Sequence, residues 1–244
     1  MADTPTSVLD TPATPSLASS PGPDVVVITA HPQMEHSRIN RRLMRAARRL
    51  PATEHSPLIV VRDLYSLYPD YLIDVAEEQA LLASAKLIVW QHPIHWYSMP
   101  PLMKLWLDEV LAFGWAYGPG GTALRGKDLW LVATTGGPED SYQPSSYNRY
   151  FFSDFMPAYE QTANLCGLRF LPPLILHGAH RAEDAEVEAH LEVYAQRLAS
   201  YPNWPELGEL LYELPALIPE DARPDEDSDD ASDPPRLAST QGAA

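Results

Sequence analysis

Short apolar runs of strand length alternate along this chain with longer segments of helical spacing, and this alternation restricts the possible folds more than any other feature. Residues 24–30, 58–61 and 87–90 are the first three runs, each with almost no polar interruption. Such a run predicts a strand buried on both faces of a parallel sheet. Because parallel strands need crossover connections, the helical segments after these runs predict strand–helix repeats.

The remainder of the chain continues the same pattern. Residues 128–134 are a fourth apolar run, and residues 174–176 lie in a fifth. Residues 63–74, which include three tyrosines, are predicted as a connecting loop. Five strands alternating with helices predict an α/β, flavodoxin-like fold with a five-stranded parallel sheet and helices on both faces. Helical spacing covers residues 39–50, 74–84, 101–113, 154–166 and 182–198.

The two ends of the chain differ from the predicted domain, residues 24–204. Residues 1–23 consist mainly of Thr, Pro, Ser and Ala, without the basic start and apolar core of a secretory signal, and predict a disordered leader. Residues 205–244 are acidic and rich in proline, so they cannot bury enough apolar surface to offset the entropy of ordering. This segment predicts a disordered tail.

Charge and cysteine content exclude several classes of protein. A net charge of −16 would repel a phosphate backbone, so no nucleic-acid partner is predicted. The single cysteine, Cys166, permits no disulfide within the chain, and its apolar neighbours predict a buried core residue. No apolar run approaches the length of roughly 20 residues that a membrane span needs. Together, these features predict a cytoplasmic protein. No metal site is predicted from the spacing of His31, His36, His92 and His95.

The third apolar run leads into a segment rich in proline and aromatic residues. Because prolines interrupt regular pairing, residues 92–99 are predicted to form a loop at the carboxyl end of the strand. Ligands of open α/β sheets bind at such strand ends. Trp96 and Tyr97, beside His95, predict a cradle for a planar ring. The alternative is that both aromatic residues belong to the core.

A polar turn joins the first apolar run to the first helix. Unpaired N–H groups and the positive end of the helix dipole bind anions at such a position. Ser37, Arg38 and Asn40 add side-chain partners for a phosphate. The alternative is that Ser37 only caps the helix and Arg38 is a solvated charge. Six arginines between residues 38 and 49 predict a solvated basic face.

Two glycine-rich segments have different interpretations. Residues 118–127 imitate a P-loop, but Asp128 stands where Ser or Thr is required and a strand follows instead of a helix, so we reject that site. Residues 134–138 end the fourth run in a loop whose backbone can approach a ligand closely. Strand ends after residues 30, 92 and 134 therefore converge, and they suit a ligand with a phosphate and a flat heteroaromatic ring, such as flavin mononucleotide (FMN).

In this order, the motifs resemble those of the NAD(P)H:quinone oxidoreductases of flavodoxin-like fold. Within that family the chain is most similar to the ancillary proteins of glutathione-regulated, Kef-type potassium/proton antiporters. The resemblance spans about residues 24–200. It rests on Ala-His-Pro at 30–32, Ser37 with Asn40, Asp-Leu-Tyr-Ser-Leu-Tyr-Pro-Asp-Tyr-Leu-Ile-Asp at 63–74, Trp-Gln-His-Pro-Ile-His-Trp-Tyr-Ser-Met-Pro-Pro at 90–101, Tyr-Gly-Pro-Gly-Gly-Thr-Ala-Leu-Arg-Gly-Lys at 117–127 and Thr-Thr-Gly-Gly at 134–137.

The resemblance implies an NAD(P)H dehydrogenase (quinone) with FMN, or alternatively FAD, as cofactor and NAD(P)H as co-substrate. Hydride would pass from the nicotinamide to the flavin and on to a quinone. The alternative is a regulatory subunit that activates a Kef-type antiporter at the cytoplasmic face of the inner membrane, with redox activity secondary. The resemblance also implies a homodimer with the site at the subunit interface. Aromatic residues are enriched at interfaces, and the candidates are Trp115, Tyr117, Tyr147, Tyr150, Phe151 and Phe152.

The family's functional residues can be assigned to positions of this chain. Tyr142 takes the place of a catalytic tyrosine, whereas Asn148 occupies the place of a histidine. An amide donates a hydrogen bond but cannot shuttle a proton near neutral pH. The resemblance assigns the flavin phosphate or ribityl chain to His31, Ser37, Arg38 and Asn40. It assigns the isoalloxazine ring to Pro93, Ile94, His95, Trp96 and Tyr97, with Thr134, Thr135, Gly136 and Gly137 on the other edge.

Overall fold

The computed structural model describes residues 22–54 and 56–208. Most of the predicted leader and the predicted tail beyond residue 208 lie outside the described residues. The strands are β1 (Val25–Thr29), β2 (Ile59–Asp63), β3 (Leu87–Pro93), β4 (Asp128–Thr134) and β5 (Arg169–Leu176). They form one parallel sheet in the order β2-β1-β3-β4-β5. The predicted five-stranded parallel sheet is confirmed.

Helices cover both faces of this sheet, as predicted. Alternate residues of β1 point to opposite sides, so Val26 packs in one core and Val27 in the other. The helices of more than one turn on the first side are α3, α4 and α5, and those on the second are α1 and α6. The helices are α1 (Asn40–Arg49), α2 (Leu64–Leu67), α3 (Val75–Ser84), α4 (Pro101–Val110), α5 (Pro157–Leu165) and α6 (Asp184–Ser200).

β3 extends further than predicted, because His92 and Pro93 belong to the strand and not to the loop. β1 pairs with β3 only as far as Gln91, so no strand lies beside Pro93 on that side. On the other side, Ile94 still donates its N–H to the carbonyl of Thr134 at 2.7 Å. The missing N–H of Pro93 therefore faces no ladder partner, which is where a strand tolerates proline.

Several predicted helix boundaries are also corrected. A 3-10 turn, Phe152–Phe155, precedes α5, which begins at Pro157 instead of residue 154. Proline suits this first helical position because its missing N–H would have no partner there. The predicted loop at 63–74 contains α2, α4 ends at Val110, and α6 begins at Asp184. β5 begins at Arg169, and its exposed Pro172 and Pro173 are tolerated because it is an edge strand.

The last described residues extend the fold into the segment predicted as tail. Pro205–Gly208 form a 3-10 turn, and Leu207 packs against the core beneath α1 and α6. Cys166 is buried as predicted, and burial raises the pKa of its thiol to about 12. Within residues 22–54 and 56–208, no helix combines the length and the apolar character needed to cross a membrane.

Candidate functional site

A cleft of about 1070 Å³ opens at the carboxyl edge of the sheet. Its walls are the turn before α1, the loop after β3, the end of β4 and the loop after β5. A smaller pocket of about 200 Å³ adjoins it and shares Ile94 and Trp96. All but two of the predicted cofactor-binding residues line the cleft, namely His31, Ser37, Arg38, Asn40, Pro93, Ile94, His95, Trp96, Thr134, Thr135 and Gly136. Tyr97 and Gly137 line the smaller pocket together with Tyr142 and Asn148.

The start of α1 forms the polar end of the cleft. Ser37 Oγ accepts the N–H of Asn40, the first residue of α1, at 3.1 Å, while its own proton stays available to a ligand. The N-cap position of the helix is Ile39. Within the described part of the chain, the N–H groups of Arg38 and Ile39 have no acceptor. Unpaired N–H groups at a helix start, supported by the helix dipole, bind phosphate and other anions.

Asn40 connects α1 to the sheet beneath this polar end. Its Nδ2 donates to Thr134 Oγ1 at 3.0 Å, and its carbonyl accepts Gln91 Nε2 at 3.0 Å. Its Oδ1 is buried and has no hydrogen-bond partner among the described residues. A buried acceptor without a partner indicates that a ligand or a water molecule donates to it. A ribityl hydroxyl is a donor of the required kind.

The Arg38 side chain bonds within the protein, whereas the sequence predicted it as a partner for a phosphate. Its Nη1 donates to the carbonyl of Ala182 at 2.7 Å, and its Nη2 pairs with Asp184 Oδ1 at 2.6 Å. Arg38 therefore lines the cleft, but its guanidinium joins the start of α1 to the start of α6. Two more arginines of the predicted basic face also pair within the chain, as Arg41–Glu35 and Arg42–Glu188.

The loop after β3 presents its aromatic side chains to solvent. Trp96 is 93% exposed and Tyr97 is 45% exposed, which argues against the alternative that they are core residues. Both have positive φ, 50° and 64°, a conformation that costs a non-glycine residue about 1–2 kcal/mol. Reciprocal backbone bonds between His95 and Ser98 hold this turn. Such strain at the rim of a cleft is typical of residues held for ligand contact.

Histidines surround the cleft. The rings of His31 and His95 lie edge to face with centroids 6.3 Å apart. Burial lowers the pKa of both side chains, and the proximity of His95 lowers that of His31 further. Both are therefore neutral near pH 7 and act as hydrogen-bonding groups. In the part of the chain that the structure describes, no three His, Cys, Asp or Glu side chains are arranged to hold a metal ion.

The loop after β5 forms a wall that the sequence analysis missed. Ala179 and His180 line the cleft, and His177 lies behind it against Thr135. The apolar run at residues 174–176 followed by His-Gly-Ala-His was the available signal. It was insufficient because a sequence does not reveal that β5 lies beside β4, which brings this loop to the same cleft.

The two predicted catalytic residues lie close together in the smaller pocket. Asn148 donates from Nδ2 to Ser141 Oγ at 2.8 Å, and its Oδ1 accepts the Tyr97 hydroxyl at 3.3 Å. Burial raises the pKa of the Tyr142 phenol. A Cβ on Gly137 would lie 2.8 Å from Ser141 Oγ, so a larger residue here would have to displace the Ser141 hydroxyl.

Comparison with known proteins places the chain in a family. A family model described as "Flavodoxin-like fold" matches residues 23–198. The chain belongs to this flavodoxin-like family. One relative is the glutathione-regulated potassium-efflux system ancillary protein KefF of Citrobacter koseri. It is 47% identical over 177 residues, which cover 72% of this chain and 96% of KefF. The chain is therefore also a relative of KefF.

Solved structures share the fold of this flavodoxin-like protein. A structure of a thermophilic tryptophan halogenase from Streptomycin violaceusniger is 40% identical, with a TM-score of 0.66, and covers 71% of this chain and 97% of its own. General stress protein 14 of Treponema denticola, in complex with FMN, is 36% identical, with a TM-score of 0.64. The match covers 72% of this chain and 98% of the Treponema denticola chain. An NADPH-quinone reductase of P. pentosaceus is 27% identical, with a TM-score of 0.64 and the same coverages.

Proposed function

We propose that this protein binds FMN in the cleft and catalyses the two-electron reduction of quinones by NAD(P)H. One observation carries the proposal. A single cleft has unpaired N–H groups and the unpartnered Asn40 Oδ1 at one end, and the exposed, strained Trp96 and Tyr97 at the other. This donor set fits a ligand with a phosphate, a hydroxylated chain and a flat ring. The FMN complex and the NADPH-quinone reductase among the structural relatives support the same function.

Different residues of the chain would bind different parts of the cofactor. Ser37, Asn40 and the N–H groups before α1 would hold the phosphate and the ribityl chain, and His95 and Trp96 would contact the ring. A bound flavin supplies the hydride-accepting and hydride-donating chemistry of such a reaction. The Tyr142 phenol is protonated at neutral pH, like any tyrosine, and burial raises its pKa further. It would provide a proton beside the ring.

Purified protein should show the absorbance bands of flavin, and apoprotein should bind FMN more tightly than FAD in a fluorescence titration. Ser37→Ala should weaken FMN binding about 10-fold, because a hydrogen bond to a charged group contributes about 1.5–3 kcal/mol. Arg45→Ala, which changes an exposed residue of α1, is the matched control and should bind FMN like the parent. Colourless protein without affinity for either flavin would contradict the proposal.

We propose that the protein is a homodimer whose interface lies beside the smaller pocket. Among the predicted interface residues, Tyr147, Tyr150 and Phe151 are 68%, 59% and 54% exposed, and Tyr147 lines that pocket. Trp115, Tyr117 and Phe152 are partly buried against the core, so they are less available than predicted. Exposed aromatic residues grouped beside a site favour an interface.

Light scattering at micromolar concentration should give twice the chain mass of 27.1 kDa. Phe151→Arg should shift the mass towards that of one chain, because a charge would be buried without a partner in the interface. Val193→Arg changes another exposed apolar residue, on α6, and serves as the control. A parent that scatters as a single chain would argue against the dimer.

The relationship to KefF favours a second function. We propose that the protein also binds a Kef-type antiporter at the cytoplasmic face of the membrane and activates it. The supporting observation is the 47% identity over nearly the whole length of the KefF of Citrobacter koseri, an ancillary protein of a glutathione-regulated potassium-efflux system. The two functions are compatible, and a variant that lacks redox activity separates them, as described in the Discussion.

A further inference from the structure

The position that the family resemblance assigns to a proton-shuttling histidine is held by Asn148, whose polar groups are already engaged. Its amide nitrogen donates to Ser141 and its amide oxygen accepts from Tyr97. Asn148 is buried, so its hydrogen bonds fix its orientation. If the protein reduces quinones as proposed, an ionisable partner for Tyr142 has to come from elsewhere in the fold.

His177, the first residue after β5, occupies such a position. Its ring centroid lies 5.4 Å from that of Tyr142 and 4.7 Å from that of Phe152, which meets it edge to face. Its Nδ1 lies 3.0 Å from Thr135 Oγ1. Thr135 therefore holds the imidazole beside the phenol.

The hydrogen bonds determine which nitrogen of His177 carries a proton. The Thr135 hydroxyl donates its only proton to the carbonyl of Gly137 at 2.7 Å. Its oxygen must then accept from His177, so Nδ1 is the protonated nitrogen and Nε2 is the one that gains a proton on acidification. Protonation places a positive charge beside Thr135 and Tyr142.

We propose that His177 is the positioning residue of the proton-donating Tyr142, and that the charge of its protonated form stabilises the neighbouring Tyr142 phenolate. In the proposed reduction, a bound flavin would supply the hydride, and the Tyr142 hydroxyl would give the quinone the proton that completes the hydroquinone. The resulting phenolate lies beside the imidazolium, which its Nδ1–H keeps in place on the Thr135 oxygen. Tyr142 regains its proton from water in the smaller pocket that it lines.

The surroundings of His177 set the pH at which this effect operates. Burial lowers the pKa of His177 below its usual 6.5, and the charge of Glu139 acts in the opposite direction. Of the described groups that face it, Glu139 and Tyr142 titrate, whereas Thr135 and Phe152 do not. The imidazolium form gains population as the pH falls, so quinone reduction should rise on acidification, with an inflection below pH 6.5.

The test is the pH dependence of kcat for NADPH-dependent quinone reduction by the flavin-loaded, full-length protein. His177→Asn should place an amide near the Nδ1 position, so it preserves the bond to Thr135 but cannot titrate. It should lower kcat about 10-fold at pH 5.5, have little effect at pH 8, remove the inflection and leave KM unchanged. His190→Asn, which changes a histidine of α6 outside the cleft, should keep the parental profile.

Glu139→Gln provides a second variant that does not depend on a change at His177. Removing the exposed charge of Glu139 should move the inflection to lower pH while the protein keeps its flavin. A parent that reduces no quinone would overturn the proposed function and this inference with it. An active parent whose inflection persists in His177→Asn, or stays in place in Glu139→Gln, would overturn this inference alone.

Discussion

Replacing Glu78 with alanine is expected to lower the free energy of unfolding by about 3–5 kcal/mol, the cost of removing one partner from a buried ion pair. Glu78 is fully buried between α3 and the sheet. Its Oε1 accepts Arg62 Nε at 2.8 Å and the Tyr68 hydroxyl at 2.7 Å, and its Oε2 accepts Trp106 Nε1 at 3.0 Å. The substitution would leave three donors, one of them charged, without their acceptor.

The neighbouring Glu77 offers a matched control on the same arginine. Glu77 accepts Arg62 Nη1 at 3.0 Å and Nη2 at 2.8 Å, but its side chain is 52% exposed. Because solvent screens exposed pairs, Glu77→Ala should cost about 1 kcal/mol or less. Urea unfolding followed by circular dichroism measures both variants. Equal destabilisation by the two substitutions would contradict the assignment of the buried pair to Glu78.

Tyr142→Phe is expected to lower quinone reduction about 100-fold, because general acid assistance contributes at least this much where it operates. The ring is nearly buried and packs against Phe152 at 5.3 Å, so phenylalanine should preserve the shape of the pocket. Asn148→His should raise activity by less than about 10-fold, since the grafted imidazole lacks a supporting shell. It should also add an inflection between about pH 6 and 7, the range of an unperturbed imidazole.

These expectations are tested by measuring steady-state quinone reduction by NADPH across pH. The measurement compares the parent, both single variants and the double variant. Tyr142→Phe should lower activity in both backgrounds. A Tyr142→Phe protein as active as the parent would remove Tyr142 from the mechanism and favour the regulatory function. If Tyr142→Phe instead loses quinone reduction as expected, this variant separates the two functions, because a regulatory subunit without redox activity should still activate potassium efflux through a co-expressed Kef-type antiporter.

The loop after β3 shows what local sequence can and cannot predict about the site. An apolar strand that ends in prolines and aromatic residues was sufficient to place Ile94, Trp96 and Tyr97 at the strand end that borders the cleft and the smaller pocket. The exposure of Trp96 and the positive φ of Trp96 and Tyr97 could not be predicted in this way. Both depend on backbone bonds between His95 and Ser98 and on what the rest of the fold leaves uncovered.

Arg38 and His177 show the same limit for side-chain roles. The sequence places Arg38 at a helix start, where a free guanidinium would meet a phosphate. In the folded protein it meets Asp184, 146 positions away in the chain. His177 follows a short strand and carries no motif, yet it contacts Thr135 because β5 lies beside β4. Contacts between residues so far apart depend on the order of strands and not on local pattern.

The sequence by itself determined the number and type of the main elements, the parallel sheet and the edge of the sheet at which the cleft lies. These follow from hydrophobic periodicity and from proline and glycine, whose effects act over a few residues. Only the tertiary structure decided that β5 contributes a wall, that Asn40 Oδ1 lacks a partner among the described residues and that Glu78 is buried beside Arg62. Burial and hydrogen-bond partnership are properties of several elements packed together, so no single segment encodes them.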